Sequence, residues 1–413
     1  MELSAQRQAN SVGDALAGVK VVDFGQYIAA PAAAAVLAEL GAEVIKVEAL
    51  TGDQARGVGI YGDAMIRAYN RGKKSIAIDL REESGKELAR KLVADADVLV
   101  QNMRPGAMER LGLGVEDVRK INPRIIYASV TGFGKNGPSR ARAGLDIAGQ
   151  AESGMMSVTG ELDGDPLRVG MPVVDAATAD SLAQAILAAL FRRERTGAGA
   201  EIDISLLEVG IHLQRSNWEE YFGTGVEPRR LGNGQPTVAP AADVIHTQDG
   251  YVVLSAYTEQ HWGILCRLIE REDMLTDPRF VSNPARVANR VALLEILNGV
   301  LGKLTTDGCV SWLSSNGIVV GAVRGYKQVM AAEDVRISGI FREDPHSADG
   351  RHYLVLPYQI AGQGDSASEP APELGQHSIC VLRDMGVGDA EIDRLIASGV
   401  IGVTATRATA AIG

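Results

Sequence analysis

At 413 residues the chain exceeds one ordinary domain, so two or three folding units are expected. Its apolar content is 46% with only 5% aromatic residues, which points to a core of small and branched aliphatic side chains. The net charge of −11 argues against a general nucleic-acid or anionic-membrane binder, since both need a broad positive surface.

Residues 1–15 read as a disordered polar tail without the apolar stretch of a signal peptide. Residues 18–23 predict a buried strand, and 32–40 an alanine-rich helix beginning just after Pro31. Further strands are expected at 43–48, 74–79, 97–101 and 124–129, with helices at 83–94 and 115–121. Such alternation implies an α/β class: a doubly wound, Rossmann-like, mostly parallel sheet covered by helices on both faces. The run from Pro166 to Asp175 reads as strand-like, followed by a small-residue helix over 178–191. Residues 221–240 break into a Gly/Pro/Arg-rich linker. Beyond it, 243–248 and 251–255 flank Asp249-Gly250, a strong hairpin signal, and helices are expected at 259–270, 290–303 and 308–316. The expected division is a large α/β domain from 16–224, a smaller α+β domain from 225–330, and a segment from 331–413 that returns to the large domain. That last segment holds a strand at 353–357, a polar loop at 364–372 and a helix at 390–398. No apolar run approaches membrane-spanning length.

Cys266, Cys309 and Cys380 are odd in number and widely spaced, and the six histidines lack ligand spacing, so neither a disulfide framework nor a metal site is expected. Gly132-Phe-Gly134-Lys-Asn-Gly137 matches the dinucleotide fingerprint and follows a strand. Pro138 and an Arg-rich run then stand where the fingerprint needs a helix to seat a pyrophosphate, which argues against nicotinamide binding. The cluster from Asn102 to Gly112 lies just past a strand's carboxyl end, where open α/β sheets place ligands. Its Arg104 and Arg110 could clamp phosphates; the plainer reading is solvated surface charge. Asp175, at the junction of strand and helix, is costly to desolvate unless hydrogen-bonded. Helix-start amides could supply those bonds and steady negative charge on an attacking or leaving group, or Asp175 could simply cap the helix.

The opening Leu16-Ala-Gly-Val-Lys-Val-Val-Asp-Phe24 and Leu40-Gly-Ala-Glu-Val-Ile-Lys-Val-Glu48 resemble the start of the family III CoA-transferases (CaiB/BaiF family). The segments from Asn102 to Gly112, Asn122-Pro-Arg124, Gln150-Ala-Glu-Ser-Gly154, the Asp175 run, Thr196-Gly-Ala-Gly199, Asp277-Pro-Arg-Phe280 and Ala371 to His377 follow in family order. The resemblance runs from about residue 16 to 402. It implies an acyl-CoA:carboxylate CoA-transferase with acyl-CoA and a carboxylic acid as substrates, no prosthetic group and an interlocked homodimer. Stretches near 200–235 and 325–350 are compatible as long linkers. The polar N-terminus and the lack of a membrane-length apolar run give the expectation of a cytoplasmic setting. Asp175 matches the catalytic position, where the family forms aspartyl anhydride and aspartyl-CoA thioester intermediates. Asn102, Met103 and Arg104 match positions lining the CoA site, Arg110 a contact to the nucleotide end, and Arg81 a cationic CoA contact. Asp146 matches an acidic residue beside the active site. Gly234, in Gly232-Asn-Gly234, aligns with a loop that covers the reacting centre. That loop is shorter here than in formyl-CoA transferases, Ile28 replaces a substrate-positioning Gln, and Ala49 stands where some relatives carry a CoA-binding Arg. Formyl or oxalate specificity is therefore not implied. The related α-methylacyl-CoA racemases use a His where this chain has Leu145, and a hydrocarbon cannot accept a proton. A racemase-like enzyme and a non-catalytic CoA-binding relative remain the competing readings. His377 is expected to pack or cap, and Trp262 and Trp312 to belong to the smaller domain's core.

Overall fold

The structure, a computed structural model, describes residues 14–234, 242–256, 258–361 and 369–404. The expected N-terminal tail therefore lies almost wholly outside the described residues, as do 235–240 of the expected linker and 364–368 of the expected loop.

From the N-terminus, β1 (Lys20–Asp23) leads to α1 (Ala29–Glu39), β2 (Glu43–Glu48), α2 (Gly59–Tyr69), β3 (Lys74–Ile78), α3 (Glu83–Ala94) and β4 (Val98–Gln101). Next come α4 (Ala107–Arg110), α5 (Val115–Ile121), β5 (Ile126–Thr131), α6 (Asp146–Glu152), α7 (Val173–Thr196), β6 (Ala200–Ser205) and α8 (Leu206–Leu213). A second unit holds β7 (Ala242–His246), β8 (Tyr251–Ser255), α9 (Glu259–Leu268), α10 (Arg290–Leu301), α11 (Thr306–Ser315) and β9 (Val319–Ala322). The chain closes with β10 (Phe341–Glu343), β11 (His352–Leu354), α12 (Ser378–Asp384), α13 (Asp389–Ala397) and β12 (Ile401–Gly402).

The larger unit comprises residues up to 154, 169–215 and from 338 onward; the smaller takes 155–168 and 216–337. In the larger, seven strands run in the order β12-β3-β2-β1-β4-β5-β6. Every pairing is parallel except that of β12 with β3. Strands β3 and β4 are buried almost throughout, as a sheet covered on both faces requires. In the smaller unit, β7-β8-β9 form an antiparallel sheet over a core that includes Trp262, Leu265, Phe280 and Leu297. Trp312 packs against that core, and the Asp249-Gly250 turn joins β7 to β8, with Asp249 Oδ1 accepting from Thr306 N at 2.7 Å.

Several elements differ from expectation. Pro31 lies inside the first turn of α1, where its missing N–H has no intrahelical partner to lose. Helix α2 was not anticipated. Residues 166–172 form no strand, and α7 starts at Val173 rather than 178. The stretch near 200–235 is no open linker: Ile202 and Ile204 alternate with Glu201 and Asp203 to give β6, followed by α8 and the helix Arg215–Thr224. Residues 325–350 likewise hold two short helices and β10. Helix α7, at 24 residues, is long and apolar enough to cross a membrane by length and composition, contrary to the sequence reading. Its buried face, including Leu182, Ile186 and Leu190, packs against α1, β5 and β6, the pattern of a core helix.

Candidate active site

The strand order places β1 beside β4, with later connections running away on either side, and ligands of doubly wound sheets sit in the crevice at such a switch point. A cavity of about 520 Å³ opens there. The turn after β1 contributes Gln26, Tyr27 and Ile28; the segment after β4 contributes Asn102, Met103, Arg104 and Arg110; the loop after β5 contributes Arg140, Arg142 and Leu145; α7 contributes Asp175. The sequence-predicted residues Asp175, Asn102, Met103, Arg104 and Arg110 thus share one cavity.

Asp175 is the third residue of α7, so it is not the helix cap; that position falls to Pro172, whose side chain accepts nothing. The cap comes instead from Asp146, the first residue of α6. Its Oδ1 accepts from Val174 N at 2.7 Å and Asp175 N at 3.1 Å, and its Oδ2 accepts from Gln150 Nε2 at 2.6 Å. Gln150 is fixed in turn, its Oε1 accepting from Val169 N at 2.9 Å. The amide of Val173 bonds to Met171 O at 2.8 Å. The helix-start amides expected to serve Asp175 or an attacking group are therefore already taken. Burial, and secondarily the like charge of Asp146, push the half-buried Asp175 carboxyl up to about 7. Two carboxylates in one corner thus have different tasks: Asp146 is hydrogen-bonded and buried, while Asp175 faces the cavity.

Beneath the β1 turn lies a chain of buried charges. Lys73 Nζ donates to Asp23 Oδ2 at 2.8 Å, Pro31 O at 2.7 Å and Asn70 Oδ1 at 3.0 Å. Lys46 Nζ donates to Asp53 Oδ2 and Gly25 O, each at 2.8 Å. The side chains of Asp23, Lys46, Asp53 and Lys73 are wholly buried. Burial, opposed by Asp23, lowers the Lys73 ammonium to about 8. Lys73 is thus a core ion-pair partner of Asp23.

Arg81 is not among the cavity's lining residues; its exposed guanidinium pairs with Asp79, Nη2 to Oδ2 at 2.6 Å. Gly234 belongs to the smaller unit, where a Cβ would meet the guanidinium of Arg290, which pairs with Asp243. His377 Nδ1 accepts from Ser75 N at 3.2 Å, a structural role. Sequence reading missed Tyr27, Arg140 and Arg142. The signal was available in part, because Gly25-Gln-Tyr occupies the first strand-to-helix turn. Gly132, the first glycine of the rejected dinucleotide motif, instead closes the stem of the loop after β5 against Gly144: a Cβ on Gly132 would lie 2.6 Å from Gly144 Cα. Within that loop Arg142 pairs with Glu152, Nη2 to Oε1 at 2.5 Å, and stacks over Phe133 at 4.3 Å.

The chain resembles an acyl-CoA transferase of Fusarium pseudograminearum, 34% identical and covering 96% of this chain and 91% of the relative. It is also 34% identical to the mouse (Mus musculus) succinyl-CoA:glutarate CoA-transferase, over 94% of this chain and 90% of that one. A solved CaiB/BaiF family protein from Brucella suis superposes with a TM-score of 0.81 at 34% identity, covering 91% of this chain and 100% of that one. Residues 16–378 match the family itself, and the chain belongs to CoA-transferase family III.

Proposed function

We propose that this chain moves CoA from a donor acyl-CoA to an acceptor carboxylate through covalent intermediates on Asp175. The observation that carries the reading is a carboxylate with its pKa pushed up to about 7, facing the cavity shared with Asn102, Met103, Arg104 and Arg110. A more basic carboxylate is a better nucleophile, and near neutrality enough of it is ionised to attack. An Asp175 oxygen adds to the thioester carbonyl carbon, the C–S bond breaks, and CoA leaves as thiolate, giving an aspartyl–acyl anhydride. The thiolate then attacks the aspartyl carbonyl carbon, which forms aspartyl-CoA and releases the donor's acid. The acceptor carboxylate repeats these steps in reverse. Arg104 and Arg110 would meet the phosphates of CoA, while Asp146 holds the start of α7 in place. Gly234 and Arg81 keep only the roles the resemblance gave them, a loop over the reacting centre and a cationic contact. An interlocked dimer and a cytoplasmic setting belong to the same reading.

The mouse relative's name gives dicarboxylic substrates, which makes succinyl-CoA with glutarate the first pair to assay. Among the described residues that line the cavity there is no histidine, and Leu145 is one of them, so a His/Asp shuttle of an α-proton lacks its histidine among them. Succinyl-CoA and a panel of other acyl-CoAs, quenched with hydroxylamine, should leave a hydroxamate on the peptide containing Asp175. It should be absent without acyl-CoA and in Asp175→Ala. An unmodified Asp175 across the panel, with CoA binding intact, would sink the covalent route.

A further inference from the structure

The turn from Gly25 to Ile28 is held in an unusual way. Tyr27 has φ +62°, one of two non-glycine residues with positive φ among the described residues. That conformation is strained for a side chain with a Cβ and persists only where the surroundings enforce it. The enforcement comes from side chains. Gly25 N donates to Asp23 Oδ1 at 2.7 Å and Gly25 O accepts from Lys46 Nζ at 2.8 Å. Tyr27 N donates to Asp53 Oδ1 at 3.2 Å. Between them, Asn102 grips both backbone groups of Gln26: its Oδ1 accepts from Gln26 N at 2.9 Å and its Nδ2 donates to Gln26 O at 2.8 Å. Gly25 has no room for a side chain, since a Cβ would meet Asp23 Oδ1 at 2.7 Å and two further side chains at 2.8 Å. The Tyr27 hydroxyl donates to Gln54 Oε1 at 3.0 Å, so the ring is also fixed where it lines the cavity.

We propose that Asn102 is a positioning residue, a clamp that holds the strained Gly25–Ile28 turn as a preformed wall of the CoA cavity and acts on the ligand through Gln26 and Tyr27. Its carboxamide donates one hydrogen and accepts one in the turn, an arrangement that locks register as a pair of strand hydrogen bonds would. A wall formed in advance spares the ligand the cost of ordering it. The proposal rests on this cavity being where CoA binds.

The test is a cycle of CoA titrations by calorimetry on the full chain, with Asn102→Ala, Tyr27→Gly, the double variant and Arg110→Ala. Glycine adopts a positive φ without strain, so the Tyr27→Gly turn no longer needs the clamp. With Tyr27 present, Asn102→Ala should weaken CoA about tenfold, the scale of two hydrogen bonds of ordinary net strength. In the Tyr27→Gly background the same change should cost less than about twofold, a coupling that direct contact with CoA would not give. Equal losses in both backgrounds overturn the clamp, and so does unchanged CoA affinity in Asn102→Ala with only a lower melting temperature. CoA affinity untouched by Arg110→Ala overturns the location of the site instead. Asn102→Ser takes the place of the alanine variant should that one fail to fold.

Discussion

Asp175 titrates near neutrality because its carboxylate is poorly hydrated and shares its corner with Asp146. A protonated carboxyl does not attack a thioester, so kcat/KM for the donor acyl-CoA should rise with pH through about 7 and level off above it. Asp146→Asn removes the like charge yet keeps an oxygen that can accept from the amides of Val174 and Asp175. Its pH–rate profile should therefore climb at lower pH than that of the native chain. It should still lie above the ordinary carboxylate range, because burial is the larger cause and remains. A limb that does not move would assign the elevation to burial alone. At this scale the sequence showed Asp175 as a carboxylate near a helix start but misjudged its neighbourhood. The cap of α7 lies 28 or 29 positions away in sequence, at Asp146, and no local pattern reports a bond of that span. Arg81 is the opposite case, for it pairs with Asp79 only two residues away, a span that local sequence can show.

Among the elements, strands were the most legible because their apolar runs end at polar or glycine-bearing turns. Residues 43–48 and 83–94 match their structural bounds: β2 is a short run carrying Val44, Ile45 and Val47, and α3 is amphipathic, burying Leu88, Ala89, Leu92 and Val93 on one face. The start of α7 was hidden because Val173 and Val174 are β-branched and follow Pro172, a combination that favours strand until a distant carboxylate supplies the missing cap. The loop after β5 depends on contact between Gly132 and Gly144, so its shape is set by two missing side chains. A Cβ on Gly144 would sit 2.3 Å from Gly132 Cα, backbone that cannot swing aside. Gly144→Ala should lower the free energy of unfolding in urea by about 2 kcal/mol through overpacking. It should also lower transferase activity, because the stem carries Arg140 and Arg142 at the cavity. Gly170→Ala, where nothing lies within 4 Å of the added carbon, should change stability by less than about 0.5 kcal/mol. Equal effects of the two substitutions would mean that the stem yields.

For the molecule as a whole, the larger unit's sheet is completed from both ends of the chain. Ile401 and Gly402 pair antiparallel with Ile78 and Ala77, and Asp79 N bonds to Val400 O at 2.8 Å. Ser378 Oγ donates to Gly402 O at 2.7 Å and accepts from Ala77 N at 3.2 Å, so one hydroxyl ties α12, β12 and β3 together. Val400 and Ile401 are 5% and 2% exposed and share a core cluster with Ile76, Ile78 and Leu88. Closing the β3 edge in this way buries a strand that would otherwise offer unpaired amides to other chains. The consequence is a testable asymmetry between two residues only two positions apart. Ile401→Asp places an unpaired carboxylate against Ile78 and should destabilise the chain by about 3 kcal/mol or more, with aggregation as the β3 edge opens. Val403→Asp, on a side chain that is 41% exposed, should lower the free energy of unfolding in urea little, by about 0.5 kcal/mol or less. Chemical unfolding followed by circular dichroism reads both. Similar small losses would show that the terminal strand adds little, and that the large sheet stands on its six parallel strands.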